Sequence, residues 1–217
     1  MNRPVIIIGS GGHAAVIADA LLSASETVIG FTDPDTSRHG TRICGLPVLG
    51  GDSALVSADP QKVFLANGIG GTGADATKGL RRNVQHRLES LGWTFTTVRH
   101  PSAVVSRFAH VDAGAQLLAR VVVQPGARVG RGCIVNTGAI VEHDVVLGEF
   151  THVSCGATLC GDVHVGESSH IGAGAVVRQG VRLGQDSVVG AGAVMLQSTA
   201  GGRIWVGVPA RERKAQA

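Results

Sequence analysis

Read in sixes from Ala103, residues 103–195 run AVVSRF AHVDAG AQLLAR VVVQPG ARVGRG CIVNTG AIVEHD VVLGEF THVSCG ATLCGD VHVGES SHIGAG AVVRQG VRLGQD SVVGAG AVM. The third place in each six is Val, Ile, Leu or, once, Met, from Val105, Val111 and Leu117 through Val189 to Met195, sixteen times without an insertion. The first place holds Ala, Val, Cys, Thr or Ser and nothing larger. Two locked columns six residues apart fit neither the 3.6-residue turn of a helix nor the alternation of a sandwich strand. They fit a coil of short parallel strands in which each flat face points one large and one small side chain inward. Three faces make roughly eighteen residues per coil, so about five coils stack on one another. Gly130, Gly148, Gly166, Gly172, Gly184 and Gly190 each follow the large position, where a sharp bend free of Cβ strain is expected.

The composition agrees with such a coil. There are 32 Gly but only five Phe, two Trp and no Tyr, so the core must be built from aliphatic residues and tight backbone turns. The 19 basic and 16 acidic residues are interspersed and leave +3, without the basic stripe that nucleic-acid binding needs. Small anionic ligands remain open. Cys44, Cys133, Cys155 and Cys160 form no CxxC, and a chain of 217 residues needs no bridges, so reduced thiols in a cytoplasmic protein are expected. The apolar run at Val5–Ile8 is too short for a signal peptide, and nowhere do eighteen apolar residues run together, so neither export nor a membrane span is expected.

The first hundred residues have another rhythm. A buried strand over Val5–Ile8, a turn Gly9-Ser10-Gly11-Gly12-His13, a helix over residues 14–22 and a strand over residues 28–31 make a βαβ start of Rossmann-like, α/β type. A further strand over residues 62–66 runs into Asn67-Gly68-Ile69-Gly70-Gly71-Thr72-Gly73, a helix covers residues 76–91 and a last strand residues 95–99. His100-Pro101-Ser102 punctuates the join, which gives domains 1–100 and 101–217. Gly9-x-Gly11-x-x-Ala14 lies between strand and helix, with Asp33 after the second strand. Such a turn lets a pyrophosphate approach peptide NH groups at a helix N-terminus while a carboxylate holds ribose hydroxyls. Too few residues precede the repeat for the second half of a full dinucleotide fold, so a nucleoside diphosphate joined to something other than nicotinamide fits better.

The glycine-turn domain with GSGGHAAVIADAL at its start, EHDVVLGEFTHVSCGATLCG in the coil and WVGVPARERK at the end resembles the hexapeptide-repeat sugar N-acetyltransferases that act on nucleotide-linked 4-amino-sugars. That family also holds sialic acid O-acetyltransferases. The resemblance implies a left-handed parallel β-helix, a homotrimer, acetyl-CoA held between neighbouring subunits and a nucleotide sugar held by the first domain. The nucleotide-sugar residues it implies are Ser10, Gly11, Gly12, His13, Asp33, Gly68, Ile69 and Gly70. Pro209, Ala210 and Arg211 match the segment that closes over CoA, with Arg213 and Lys214 beyond.

Transfer of acetyl to an amine needs a route for the amine proton and a donor to the thioester oxygen. His143 lies two residues after the inward Val141, so its side chain should leave the coil, and Asp144 follows to orient it. The pair matches the family's His-acid base, although Asp stands where Glu is common. One coil further along is Gly161, whose peptide NH could hold the oxyanion, as the family motif also implies. His152 matches a family histidine near acetyl-CoA. His110, His164 and His170 precede inward positions and are expected on the outer surface, and Cys155 and Cys160 are read as structural. Two other classes compete. A zinc enzyme like the γ-carbonic anhydrases could use His143, His164 and His170, and a non-catalytic scaffold could merely sense a nucleotide. Neither gives the fused glycine-turn domain together with His143 and the tail a joint role, so acetyl transfer without a metal is the expectation.

Overall fold

The computed structural model describes residues 3–56, 58–71 and 77–213; the expectations for Thr72, Gly73, residue 76 and Lys214 fall outside the described residues. Those up to Pro101 form one compact unit and those from Ser102 a second.

In the first unit, Val5–Ile8 (β1) is buried along its whole length, as a strand covered on both faces must be. It runs into Gly12–Ser23 (α1), which buries Ala14, Ile17, Ala18, Ala20 and Leu21. Val28–Thr32 (β2), Arg42–Ile43 (β3), Leu46–Gly50 (β4) and Phe64–Asn67 (β5) complete a sheet of order β3-β4-β2-β1-β5, parallel except for the β3–β4 hairpin. The sheet order reverses at β1, and the crevice beyond its carboxyl end is where ligands of such sheets bind. Thr77–Ser90 (α2) follows β5. Its Leu88 packs with Ile6, Ile8, Leu65, Trp93 and Phe95. The strand expected over residues 95–99 is shorter: Phe95 makes a single bridge to Leu65, and Val98–Arg99 is the only regular piece there. The β3–β4 hairpin has no counterpart in the sequence reading. Its turn uses Cys44 and Gly45, both at positive φ (49° and 77°), a geometry usually announced by Asn-Gly.

The second unit is a parallel β-helix of sixteen two-residue strands, Val104–Val105 to Val194–Met195, dealt in rotation onto three faces. Val122 pairs with Val104 and Ile140, so each residue lies over the one eighteen positions away. Both inward columns are buried as one core. The polar members of the small column are satisfied by backbone carbonyls, Thr151 by Gly166 O at 3.2 Å and Ser187 by Gly184 O at 2.6 Å. The glycines after the large position have a different role from the one expected. Their φ values are not positive; at Gly148 a Cβ would lie 2.6 Å from Glu167 N, so bare backbone is needed for two coils to approach. The left-handed residue comes two places later, as at Asp144 (φ 61°). At the far end Ile204–Val206 continues the third face and turns back as an antiparallel hairpin with Arg211–Glu212. Ala210 is buried there, with its NH on Val194 O at 2.8 Å, so Pro209, Ala210 and Arg211 belong to a cap on the last coil. Among the described residues no helix is long and apolar enough to cross a membrane.

Candidate active site

The first unit holds a cavity of about 640 Å³ at the carboxyl end of β1, and Ser10, Gly11, Gly12, His13, Asp33, Gly68, Ile69 and Gly70 all line it. Gly11 caps α1 without a side-chain hydrogen bond, and a helix start is where peptide NH groups and the helix dipole favour an anion. Gly68 sits where a Cβ would come within 2.7 Å of Ala14 Cβ and Ile7 Cγ2, and one at Gly70 would lie 3.0 Å from His13 Cβ. The loop after β5 is thus pressed against the start of α1, and two glycine loops face each other.

Asp33 has another task than holding ribose alone. Its Oδ2 accepts from Ser10 N at 2.8 Å and Ser10 Oγ at 2.5 Å, and its Oδ1 accepts from Asp35 N at 2.9 Å. Burial opposes ionisation, yet the Ser10 hydroxyl and these two peptide NH groups hold the carboxyl below its ordinary value. Arg38 closes the cluster from outside through Ser10 O and Ser10 Oγ. The carboxylate clamps the glycine turn and keeps only part of Oδ1 for a ligand. Sequence reading missed the opposite wall, made by Leu80, Val84 and Arg87 of α2, with Arg87 paired to Asp52 at 2.6 Å. Their spacing of four and three residues, which sets them on one helix face, was the available signal.

In the coil, His143 stands exposed on the turn after Ile140–Val141. Its Nδ1 meets Asp144 Oδ2 at 2.9 Å, so the short carboxylate reaches the ring without the longer arm of Glu. That hydrogen bond, outweighing partial desolvation and helped by the charges of Asp144, Glu142 and Asp162, raises the imidazole above its ordinary 6.5. The ring lies over Gly161, where a Cβ would overlap Nε2 and stand 2.5 Å from Cε1. His143 O accepts from Asp162 N at 2.9 Å, which ties the two turns together.

His152 is 8 % exposed and faces Asn136 Nδ2 through Nε2 at 3.3 Å. His170 does not lie on the surface as expected: it is 6 % exposed, meets His152 edge to face at 5.0 Å and has Ser154 Oγ 3.4 Å from its Nε2. Both histidines, Asn136 and Cys155 line a second cavity of about 450 Å³ on the third face. Asn136 carried no signal in the repeat, since polar residues are common after the large column. His110 and His164 are exposed beside Asp112 and Asp162. His143 lies on the turn after the first face and His164 and His170 on the two other faces, spread over more than one coil, and no three metal-binding side chains gather among the described residues.

Residues 4–87 match the PglD N-terminal domain model, and residues 162–197 match the bacterial transferase hexapeptide (six repeats) model. The acetyltransferase domain of PglB from Neisseria gonorrhoeae, solved with acetyl coenzyme A, is 33 % identical with a TM-score of 0.89, over 98 % of this chain and 100 % of that one. The perosamine N-acetyltransferase PerB from Caulobacter crescentus, solved with CoA and GDP-perosamine, is 35 % identical with a TM-score of 0.88, over 97 % of each chain. WeeI from Acinetobacter baumannii shares the fold at 23 % identity and a TM-score of 0.86. With a third of its residues shared over its whole length, a glycine-turn α/β unit and a left-handed hexapeptide coil, this chain belongs to the family of acetyl-CoA-dependent sugar N-acetyltransferases.

Proposed function

We propose that the enzyme transfers the acetyl group of acetyl-CoA to the amine of a nucleotide-linked 4-amino-4,6-dideoxy sugar, with His143 as general base. The observation that carries this reading is the His143–Asp144 pair at 2.9 Å lying over Gly161, an exposed base with its orienting carboxylate one coil from a glycine. The amine nitrogen attacks the thioester carbon, and its proton passes to His143 Nε2, the ring nitrogen not engaged by Asp144. The Gly161 NH donates to the oxygen as negative charge collects there. Collapse breaks the C–S bond and expels the CoA thiolate, which takes up the proton held by His143 Nε2 and returns the base to its starting state.

The first domain, residues 1–100, binds the nucleotide: the diphosphate meets the glycine turn at Gly11 and Gly12 and the start of α1 at His13, and the base lies against Ile69, Leu80 and Val84. The protein similar to this one that was solved with GDP-perosamine supports that substrate class. The coil, residues 101–217, binds acetyl-CoA through His152 and the Pro209-Ala210-Arg211 cap. His143 and His152 lie on different faces of one coil, so both reach one reaction only if neighbouring copies supply them. The outward residues of the first face, Val104, Val122, Ile140, Val176 and Val194, interrupted only by Thr158, form a largely apolar column beside the His143 turn that suits such a contact. We read the assembly as a homotrimer, as the sequence resemblance implies, and the protein as cytoplasmic.

Calorimetric titration with UDP, GDP and dTDP tests the substrate class, and release of CoA thiol with a nucleotide-linked 4-amino sugar tests the reaction. One nucleotide should bind and its amino sugar should release CoA; no heat with any of the three would remove the nucleotide-sugar reading.

A further inference from the structure

We infer that Gly126 is a positioning residue for the reaction, because the space left by its missing side chain is where the Asp144 carboxylate sits and from which that carboxylate faces His143. The inference rests on the reading of His143 as the base. Asp144 lies one coil beyond Gly126, and its two oxygens are divided: Oδ2 meets His143 Nδ1, while Oδ1 fills the gap over Gly126. A Cβ at position 126 would overlap Oδ1 and come within 3.3 Å of Cγ and 3.5 Å of the Asp144 peptide nitrogen.

A methyl group at position 126 would push the Asp144 side chain off the placement in which it meets the ring. Asp has two side-chain torsions, and its backbone is held by Asp144 NH on Pro125 O at 3.2 Å in the left-handed region. Displacing Oδ1 therefore rotates the whole carboxylate and carries Oδ2 away from Nδ1. The other carboxylates near His143 do not replace it. Asp162 on the coil above is engaged with His164 at 3.2 Å, and Glu142 approaches the His143 peptide NH at 3.4 Å. The turn below, Gln124-Pro125-Gly126, carries no charge. The catalytic pair thus sits between two glycines, Gly126 under the carboxylate and Gly161 against the ring.

Gly126 has φ +77°, so Ala there brings backbone strain as well as a methyl group. Gly138 separates the two effects: it has φ +69° at the same point of its turn, and a Cβ there meets nothing within 4 Å. Gly126→Asn is a second probe, since Asn tolerates the left-handed region but still carries the Cβ. The measurement is NMR titration of ¹³C-labelled histidine in the intact protein, with His143 identified by the signal lost in His143→Ala, alongside kcat against pH. In Gly126→Ala and Gly126→Asn the His143 midpoint should fall toward 6.5. Turnover should drop by about tenfold or more, yet by less than the roughly 10²–10⁴ of a positioned base. KM for both substrates should be unchanged, Gly138→Ala should do none of this, and Asp144→Asn should abolish the extra effect of Gly126→Ala. Should Gly126→Ala fail to fold while Gly138→Ala folds, Gly126→Ala/Asp144→Ala, which removes the overlapping carboxylate, should restore folding. A wild-type His143 midpoint in folded Gly126→Ala, or no rescue by the double variant, overturns the inference. Near wild-type turnover in His143→Ala would overturn the general-base reading instead and leave the titration standing as a test of the seat.

Discussion

The imidazole of His143 and the α-carbon of Gly161 are stacked one coil apart, so close that a methyl group on Gly161 would overlap the ring. In the proposed mechanism Gly161 has two tasks, its NH toward the thioester oxygen and its bare face toward His143. Gly161→Ala keeps the NH and φ is not in the left-handed region, so the damage should come through the displaced ring. Misplacing a catalytic group by about 1 Å costs about 10²-fold, and kcat should fall on that order with KM for acetyl-CoA little changed. CoA thiol release measures it; an unaffected kcat would show that the ring does not work from this position.

The pH profile follows from the sign of the shift. A base acts when unprotonated, and Asp144 raises His143 above 6.5, so kcat/KM should climb with pH through an inflection above that value. Asp144→Asn should move the inflection down toward 6.5 and lower the plateau, because the ring loses both its charge partner and its orientation. An unmoved inflection would assign the titration to another group.

Two glycines of the first unit should respond in opposite ways. A Cβ on Gly11 meets nothing within 4 Å, so Gly11→Ala should leave Tm unchanged while weakening nucleotide binding, since the methyl group stands where the diphosphate approaches. Gly68→Ala drives a Cβ against Ala14, Ile7 and Ile8 O and should cost about 1–3 kcal/mol of stability, as overpacking does. Thermal unfolding with and without nucleotide separates the two.

Asp33→Asn tests the clamp on the glycine turn. The native carboxyl is held below its ordinary 3.8, so its contribution is complete above pH 3.8 and is lost as pH falls through the lower folded value. The variant should be about 1 kcal/mol less stable near neutral pH, the low end for hydrogen bonds to a partly exposed charge. That difference should shrink below pH 4 in paired melts; a pH-independent gap would mean that the carboxylate's charge plays no part.

The proposed assembly can be tested without touching the His143–Asp144 pair. Val176 is exposed on the apolar column two coils beyond Ile140. Val176→Glu should dissociate the assembly in sedimentation and take turnover with it, since His143 and His152 of one copy lie on different faces. A fully active monomer would end the shared-site reading.

Legibility in the sequence followed the range of the forces. The inward columns were readable because one hydrophobic rule repeats in every coil; His143 was legible from its place two residues after the inward Val141, the pair with Asp144 from the family resemblance, and Gly161 from the eighteen-residue step. Gly126 was not, although it lies one step from Asp144, because a left-handed glycine at a corner looks alike whether its neighbour is a carboxylate or empty space. The spacing to Asp33 was readable but its partner was not: a carboxylate suited to ribose is equally suited to Ser10, and the choice is made by where β2 ends. The β3–β4 hairpin stayed hidden behind Cys44. His170 was expected outside because period alone tells inward from outward and says nothing of what covers an outward side chain.

The eighteen-residue pairing makes the coil a screw, and a screw restricts how its length can change. Excising one full thread slides everything beyond it back by one pitch with each side chain still on its own face. Excising six residues keeps inward residues inward but turns the rest by a third of a revolution, which carries the apolar column onto another side. The proposed reaction centre spans three successive threads, at Gly126, His143 with Asp144, and Gly161. Between those residues even a whole-thread deletion separates base from seat, so shortening or lengthening that spares catalysis must come in complete turns and beyond the stretch 126–161.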